Sequence, residues 1–518
     1  MKLPSIPFLR RLAPKYGPHY GVAAQGMLRG LGLIYVLSFW SLAAQIMALS
    51  GSRGLMPASA LMNYFKSQSG PLAPLFFPSV LWLTDHPVML LVLSGVGAIA
   101  GLTLLYGFYP WFSALICWVS WVSLLQVCQP WMSSQGDYLM AEIGLWVLLL
   151  ISPLIRTYPS PSEMGSRITG IIVINFILFK VLFSSGLAKL NLGSDFWASS
   201  TAYYYFFETQ PLPTSIAWYA HYLPHTVLEY AVWGTMFIEL IMPFYLFLPR
   251  TFRNLLAGAV SLQSLFILLV GQHGFLPYLL LLLSFSLIDD VSWRKILPVT
   301  WGPPAAISLY QPQIFSVLIL ALVLPVTIWQ IYFQKPESIL PPWHQVESVL
   351  ARVHSSNRYA LYPEVPAQRK EFAIQGSIDG KQWVEYRFKL KPTDPASLPS
   401  ISALHLPRLD EQFTRLANRI ELDSPQKPPI WLYHLIGNLL QSDPATLSLF
   451  PVDPFPGKTP EFIRLALYEY RFADPVVRRE QNIWWVREFK GFYGPVFTKA
   501  TTPELIPVSP FQQPAVSP

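Results

Sequence analysis

Residues 87–107 read PVMLLVLSGVGAIAGLTLLYG, a run without a single charged side chain. A helix that crosses the hydrocarbon core of a bilayer needs about 20 apolar residues, so this run is long enough to span. Eight other runs have a similar character, although one of them, 274–288, is short enough to be re-entrant. The sequence therefore predicts a polytopic α-helical membrane domain of about nine transmembrane helices. The predicted spans are 30–49, 87–107, 110–129, 137–155, 168–188, 226–248, 254–271, 274–288 and 313–333.

The charged residues are distributed unevenly along the chain. Of the 518 residues, 13% are charged, whereas a soluble globular protein carries about 25%. Residues 1–335 hold 26 of the 65 charged side chains and residues 336–518 hold the other 39. This composition excludes ordinary cytosolic, disordered and coiled-coil proteins, and it predicts a membrane domain followed by a soluble domain. The net charge of +7 lies mostly in the membrane half, where Lys and Arg set the topology, so it does not indicate nucleic-acid binding.

The Lys and Arg residues that flank the predicted spans set the orientation. If the N-terminal arm lies in the cytoplasm, the cytoplasmic segments carry 11 of these residues and the outside loops carry 3. Positive charges accumulate on the cytoplasmic side of membrane proteins. One miscounted span would move the soluble domain to the other side. The predicted organisation is a cytoplasmic basic arm (1–29), a transmembrane domain (30–335), an extracytoplasmic β-rich domain (336–500) and a Pro-rich disordered tail (501–518).

The outside domain is predicted to be mainly β-structure. Two alternating runs, 371–377 and 382–388, flank Asp379-Gly380, and Asp-Gly between such runs is a strong hairpin signal. We expect these strands to belong to a sandwich-like domain. The other predicted elements are a third strand at 463–472 and helices at 409–420 and 430–441.

Ionisable side chains inside membrane spans are costly to bury, so each one is a candidate for a functional role. The alternative is that these side chains pair with one another and hold the helix bundle together. Both interpretations stay open. The candidates are Glu142, Lys180, Glu229, Glu239 and, at the end of a span, Lys189.

The outside loop 184–224 is packed with Tyr, Phe and Trp. Such side chains suit a membrane interface, but a loop of this length is more than a connector. Within it, Pro224 interrupts the helix that would align His221 with His225, so no metal site is expected. The sequence has no nucleotide-binding, nucleophile-elbow or zinc-protease motif, and we expect no cofactor.

Motifs along nearly the whole chain, in order, resemble those of the lipase maturation factors. The most specific are E-T-Q-P-L-P at 208–213 and P-R-L-D at 407–410. On this resemblance the chain is identified as a member of that family, of bacterial type. The motif residues in the loop are Glu208, Thr209, Gln210, Pro211, Trp218 and His221. Those in the soluble half are Arg358, Asp379, Gly380, Trp383, Pro407, Arg408, Leu409, Asp410, Trp484 and Trp485.

The resemblance implies a membrane-anchored, chaperone-like factor that assists the folding or assembly of secreted or envelope client proteins such as lipases. The implied partners are the lipid bilayer and such a client, and a non-enzymatic role is favoured. Animal members of the family lie in the endoplasmic reticulum. Here the sequence has no N-x-[ST] sequon, and its two cysteines, Cys117 and Cys128, both lie in one predicted span. These features favour a bacterial inner membrane protein with a periplasmic domain, or an endoplasmic-reticulum protein if the source is eukaryotic.

One segment departs from the family pattern. Residues 411–415 read EQFTR where W-Q-M-W-F is typical of the family. The loss of the tryptophans predicts that a partner-binding surface built on them is weakened or altered.

A second resemblance supports an enzyme. The membrane half is distantly similar to the membrane domain of the vitamin K-dependent γ-carboxylase, in which a lysine serves as the catalytic base. Gly186-Leu187-Ala188-Lys189-Leu190 lies at the analogous place. A desolvated Lys189 could act as a base on a lipid-soluble or envelope substrate. Alternatively, Lys189 is structural and pairs with Asp195 or Glu208.

Overall fold

The computed structural model describes residues 20–84, 86–159, 168–296, 324–331, 343–399, 404–419 and 428–498. The first half of the chain is helical in these ranges. Its helices are α1 (Gly21–Ser50), α2 (Ala58–Ser69), α3 (Ala73–Phe76), α4 (Val88–Tyr106), α5 (Pro110–Val127), α6 (Gln135–Trp146), α7 (Ile168–Asn191), α8 (Asp195–Ala198), α9 (Ala202–Thr209), α10 (Ser215–His221), α11 (His225–Leu240), α12 (Arg250–Val270), α13 (Leu276–Phe285), α14 (Asp290–Ile296) and α15 (324–331).

Five of the described helices are long and apolar enough to cross a membrane: α1, α4, α5, α7 and α12. The structure therefore supports a multi-pass membrane domain but does not confirm nine spans. Helix α6 gives way to a 3-10 turn after Trp146, and α13 has only 10 residues. Helix α11 ends at Leu240, just before Pro243, which lacks the N–H that a continuing helix needs. Most of the predicted span 313–333, the domain boundary near 335–336, residues 1–19 and the tail from 501 lie outside the described residues.

Helices α1 and α4 cross at glycines. A Cβ atom placed on Gly32 would lie 2.8 Å from the carbonyl oxygen of Gly101, and one on Gly101 would lie 2.9 Å from that of Gly32. Small residues allow this close approach of two backbones, which is typical of helix packing in membranes.

The C-terminal domain is built on one antiparallel sheet of four strands in the order β2-β1-β3-β4. The strands are β1 (Arg369–Ser377), β2 (Val384–Glu385), β3 (Phe462–Phe472) and β4 (Trp485–Thr498). The helices are α16 (Trp343–Arg352), α17 (Arg408–Arg419), α18 (Ile430–Leu440), α19 (Pro444–Leu447) and α20 (Pro475–Gln481). Helices α17 and α18 pack their apolar sides on one face of the sheet, around Phe372, Ile374 and Leu465.

The structure confirms the predicted hairpin, the strand at 463–472 and the two helices. Gly380 sits in the hairpin turn with φ +71°, a conformation that side chains disfavour. The sandwich prediction is wrong for the described residues, because helices rather than a second sheet cover the core. The second strand is also shorter than predicted, since Tyr386 and Phe388 turn into the core. Strand β4 was missed because Gly491, Gly494 and Pro495 obscure its alternation.

The two halves of the molecule share one core. Leu49, Leu55 and Trp131 of the membrane half belong to the same apolar cluster as the residues between the sheet and α18. The rings of Trp131 and Trp431 lie 5.5 Å apart, edge to face. The C-terminal domain is therefore packed onto the membrane domain.

Candidate functional site

Polar contacts between the two domains form an interdomain seam, which we define by residues 355–361, Arg369 and residues 405–408 of the C-terminal half and their partners in the membrane half. Most of the family motifs meet at this seam, where their side chains are buried or partly buried.

Glu142 on α6 lies at the first contact of the seam. Its carboxylate pairs with Lys180 of α7, and both side chains are 2% exposed. The other oxygen accepts from the Asn357 backbone N–H at 3.0 Å and from the Tyr359 hydroxyl at 2.8 Å. These two residues pair with each other, and the carboxylate also holds a segment of the C-terminal half. In Asn357-Arg358-Tyr359, the first and third residues bind Glu142, while the Arg358 guanidinium pairs with Glu347 at 3.2 Å.

Lys189 in the last turn of α7 pairs with Glu239 of α11. Its Nζ donates to a Glu239 carboxylate oxygen and to the Leu361 carbonyl, each at 2.6 Å. The expectation that Lys189 pairs with Asp195 or Glu208 is wrong, because the last turn of α7 packs against α11. Glu229 does not join this cluster and instead accepts from the Tyr204 hydroxyl at 2.5 Å.

The E-T-Q-P-L-P motif wraps around Arg369, the first residue of β1. The guanidinium donates to the backbone carbonyls of Glu208 at 2.9 Å, of Gln210, and of Pro211 at 2.7 Å. The Glu208 carboxylate accepts from the Phe472 backbone N–H at 2.6 Å. Because three carbonyls of the motif converge on one buried guanidinium, the loop has a fixed shape and position.

The other polar side chains of this motif, those of Thr209 and Gln210, form hydrogen bonds with nearby groups of the membrane half. The Thr209 hydroxyl donates to the Tyr205 carbonyl at 2.9 Å. The Gln210 amide donates to the Val270 carbonyl at 3.0 Å, and its oxygen lies 2.9 Å from the His273 ring. The bond from Gln210 to Val270 ties the motif to the end of α12.

Arg369 also belongs to a buried charge cluster behind the seam. It pairs with Glu371 at 2.6 Å, and Lys391 lies 3.1 Å from the other Glu371 oxygen. Burial lowers the pKa of Lys391, while the Glu371 carboxylate acts in the opposite direction. The Thr414 hydroxyl of α17 donates to Glu371 at 2.9 Å, so the cluster links the sheet to a helix.

The P-R-L-D motif makes a bidentate ion pair across the seam. The Arg408 Nη1 and Nη2 groups donate to the two Asp137 carboxylate oxygens, at 2.5 and 2.8 Å, and Nη1 also donates to the Trp131 carbonyl at 3.1 Å. Asp137 simultaneously forms the capping box of α6 with Ser134. Both partners of the ion pair are 2% exposed.

The other residues of P-R-L-D also make contacts within the chain. Leu409 is buried in the core, and the Pro407 carbonyl accepts from the Glu411 N–H at 3.3 Å. One oxygen of Asp410 accepts the backbone N–H groups of Leu390 at 2.6 Å and Lys391 at 3.0 Å. Burial raises the pKa of Asp410 to about 6.

The aromatic motif residues form a smaller contact at the side of the seam. The Trp218 indole donates to the Ala473 carbonyl at 2.9 Å. Arg478 lies over the rings of Trp218 at 4.3 Å and Trp484 at 3.7 Å. Trp485 stacks on Phe472 at 4.4 Å, which the His221 ring meets at 5.5 Å.

Asp379, Gly380 and Trp383 lie away from the seam. Asp379 accepts the Lys381 and Gln382 N–H groups at 2.8 Å and holds the hairpin turn. Trp383 lies on the sheet surface. The motif residues that the sequence singled out therefore divide into a large buried group and a small peripheral one.

The divergent segment 411–415 is part of α17 and points inward. Phe413 and Thr414 are fully buried, and the Phe413 ring lies 5.4 Å from Trp431 and 4.9 Å from Phe388. The amphipathic helix therefore places Phe413 and Thr414 in the domain core.

Sequence reasoning missed Asp137 and Arg369, which complete the seam. Asp137 had a local signal, since Ser134 followed three residues later by an acidic side chain is a capping-box pattern. Arg369 had no local signal for its place in the seam, because the partners it has there are backbone carbonyls about 160 residues away along the chain. Within the described ranges, no group of three His, Cys, Asp or Glu side chains is placed to hold a metal ion.

Comparisons with known proteins agree with this arrangement. The family model of the lipase maturation factor transmembrane domain matches residues 22–295, and that of the lipase maturation factor C-terminal domain matches residues 355–495. The chain is 27% identical to lipase maturation factor 1 of Mus musculus over 511 residues, covering 90% of this chain and 86% of the relative. It is 26% identical to lipase maturation factor 2 of Rattus norvegicus over 587 residues, covering 90% and 82%. No solved structure matches. The chain, with both domains matched in order over most of its length, belongs to the lipase maturation factor family.

Proposed function

We propose that this protein is a membrane-anchored maturation factor that assists the folding or assembly of secreted or envelope client proteins such as lipases. The observation that carries the proposal is the match to both family domains, 22–295 and 355–495, in one chain. The relatives in mouse and rat are named lipase maturation factors. A soluble domain fixed to the bilayer is held at a high effective concentration beside clients that leave the membrane.

The proposed orientation places the C-terminal domain outside the cytoplasm. Its support is the distribution of Lys and Arg, with 11 in segments assigned to the cytoplasm and 3 in outside loops. The lack of sequons supports a bacterial inner membrane with a periplasmic domain; in a eukaryote the corresponding place is the endoplasmic reticulum lumen. In either case clients would meet the domain after crossing the membrane.

We assign the buried motif residues a positioning role. The Arg408 guanidinium and the Glu208 and Pro211 carbonyls of the E-T-Q-P-L-P motif already bind partners within the chain. They fix the sheet relative to the membrane helices. Client contacts then belong to the exposed surface of the C-terminal domain.

The test is a deletion of the gene in its native host, with the amount and the activity of secreted lipases measured separately. We expect lipase synthesis to continue while the activity per mass of lipase falls, and the wild-type gene to restore it. An unchanged activity per mass for every secreted lipase would contradict the proposal.

A membrane-embedded enzyme that uses Lys189 as a base is the second candidate. Lys189 and Glu239 line a cavity whose other walls include Trp197, Phe206 and Tyr362, so a small lipophilic substrate could meet them. Against this, both donor bonds of Lys189 suit a protonated ammonium group. Lys189→Arg keeps the positive charge but does not readily deprotonate, so it separates the candidates: full function in that variant excludes the base.

A further inference from the structure

The face of the sheet opposite α17 and α18 carries stacked arginine and aromatic side chains. We call it the arginine–aromatic face; its residues are Trp383, Arg464, Tyr468, Arg487, Phe489 and Phe492. Along β3, Leu465 and Leu467 point into the core, so the alternate residues Arg464 and Tyr468 point away from it. Phe489 is 48% exposed and Phe492 is 50% exposed, although their rings lie 4.9 Å apart.

Arg464 lies at the centre of this face without an acidic partner. Its guanidinium is between the rings of Trp383, at 3.9 Å, and Phe492, at 4.4 Å. Its Nε donates to the neutral amide oxygen of Gln375 at 2.7 Å. Within the part of the chain that the structure describes, no carboxylate lies within 4.0 Å of it, and Nη1 and Nη2 make no hydrogen bond. The two aromatic rings thus hold the guanidinium in place with its terminal nitrogens free.

The neighbouring cations differ from Arg464 in this respect. Arg471 pairs with Glu469 at 2.6 Å, Arg487 with Glu385 at 2.9 Å, and Lys490 with Glu469 at 3.0 Å. Among the described residues of this face, the charge of Arg464 is therefore the one that an external carboxylate would complement.

A partner could bind either on this face or along the free edge of the sheet, and the geometry favours the face. Strand β4 is an edge strand, but two register irregularities and Pro495 interrupt the regular row of backbone N–H and C=O groups with which another strand could pair. Bulges and proline protect an edge against the addition of another strand. A partner is therefore expected on the face, where Phe489 and Phe492 offer apolar area, and not as an added strand.

We propose that the arginine–aromatic face binds an extended segment of a non-native client chain that presents a carboxylate between apolar side chains. The carboxylate accepts two parallel bonds from Nη1 and Nη2 of Arg464, the geometry that favours Arg–carboxylate pairs. The flanking apolar side chains pack on Phe489 and Phe492. Arg and aromatic residues supply most of the energy in many protein interfaces. This inference rests on the proposed function and names the surface that carries it.

The binding test uses the full-length protein in nanodiscs and fluorescent nine-residue peptides of alternating Thr and Val or Phe, with Glu, Gln or Lys at the centre. By anisotropy we expect the Glu peptide to bind about tenfold more tightly than the Gln peptide, the scale of a charge-assisted bond. Arg464→Gln should abolish this preference for the Glu peptide, and Phe492→Ser should weaken the binding of all three peptides. The matched control is Val476→Ser, which removes a side chain that is 59% exposed elsewhere on the domain.

Equal binding of the three peptides to the wild type, or the same Glu preference in Arg464→Gln, would overturn the inference. A dimer of the full-length protein that Arg464→Gln dissociates would overturn it as well, because the face would then belong to a second copy. Retained monodispersity and an unchanged melting temperature show that each variant is folded.

A complementation assay separates this inference from the proposed function. In the deletion host, restoration of active lipase by the wild type and by Val476→Ser, but not by Arg464→Gln, supports both. Equal restoration of active lipase by the wild type, Val476→Ser and Arg464→Gln overturns the inference and leaves the proposed function standing. Failure of the wild type to restore lipase overturns the proposed function, and the peptide titration then decides the inference by itself.

Discussion

The interdomain seam and the arginine–aromatic face use the same kinds of residue in opposite ways. In the seam, Arg408 is buried and its guanidinium donates to Asp137 and to a backbone carbonyl. On the face, Arg464 is held by two rings and a neutral amide, with its terminal nitrogens directed to no described carboxylate. A buried arginine with all its partners holds a structure together, whereas a partly exposed one with an incomplete set can bind. The predictions below test this difference.

The largest effect is expected for Asp137→Asn. The change leaves the Arg408 guanidinium buried without its charge partner and weakens the capping box of α6. Removing one partner of a buried ion pair costs about 3–5 kcal/mol. Chemical unfolding of the detergent-solubilised protein, followed by Trp fluorescence, measures the loss.

The matched control for that variant is Asp394→Asn. Asp394 pairs with Arg387 at 3.0 Å, but the arginine side chain is 65% exposed. Exposed pairs contribute about 0–1 kcal/mol, so this variant should unfold almost as the wild type does. Equal losses in the two variants would show that burial in the seam does not set the strength of its ion pairs.

The next effect is a coupling between Lys189 and Glu239. Lys189→Met leaves the Glu239 carboxylate buried with only the Gln263 amide, 3.3 Å away, as its remaining donor among the described residues. Adding Glu239→Gln removes that buried charge. We expect the double variant to be more stable than the sum of the two single losses by about 1–3 kcal/mol. Additive losses in the four-protein cycle would show that the two residues do not act as a pair.

A smaller effect is the pH dependence that Asp410 confers. Its folded pKa is raised to about 6, above the value for an unfolded chain, so the folded state binds this proton more tightly. The associated stability is present at low pH and is lost as the pH rises through about 6. Asp410→Asn keeps both backbone bonds, because a single oxygen accepts them.

The measurement for Asp410 is the unfolding free energy of both proteins at two pH values. From about pH 5 to about pH 7.5 the wild type should lose about 1 kcal/mol relative to Asp410→Asn. The difference between the proteins removes the contributions of all other titrating groups. If the difference in unfolding free energy between the two proteins stays constant with pH, or shifts in favour of the wild type at higher pH, the raised pKa of Asp410 is contradicted.

The smallest effect on stability is expected for Arg464→Gln. The side chain lies on the sheet surface, where substitutions usually change the unfolding free energy by less than about 0.5 kcal/mol. Its effect should appear in peptide binding and lipase maturation instead. A loss as large as that of Asp137→Asn would assign Arg464 to the scaffold and remove the contrast between the two regions.

Part of this structure could be predicted from local sequence. The strand at 463–472, the hairpin at Asp379-Gly380 and the helices at 409–420 and 430–441 follow from alternation, turn chemistry and helical periodicity. Strand β4 did not follow, because glycine and proline interrupt its pattern. The nine predicted spans were not confirmed, because α6, α11 and α13 are shorter than their apolar runs and most of 313–333 lies outside the described residues.

The sequence alone determined that the chain has an apolar helical half and a charged half with β-strands, because composition and periodicity are local properties of the chain. It also identified the motif residues. Only the tertiary structure decided what those residues touch. Arg369 meets carbonyls about 160 residues away, Arg408 meets a carboxylate 271 residues away, and Arg464 meets no carboxylate among the described residues. Whether an arginine is buried with all its partners or exposed without one depends on long-range packing, which no local pattern specifies.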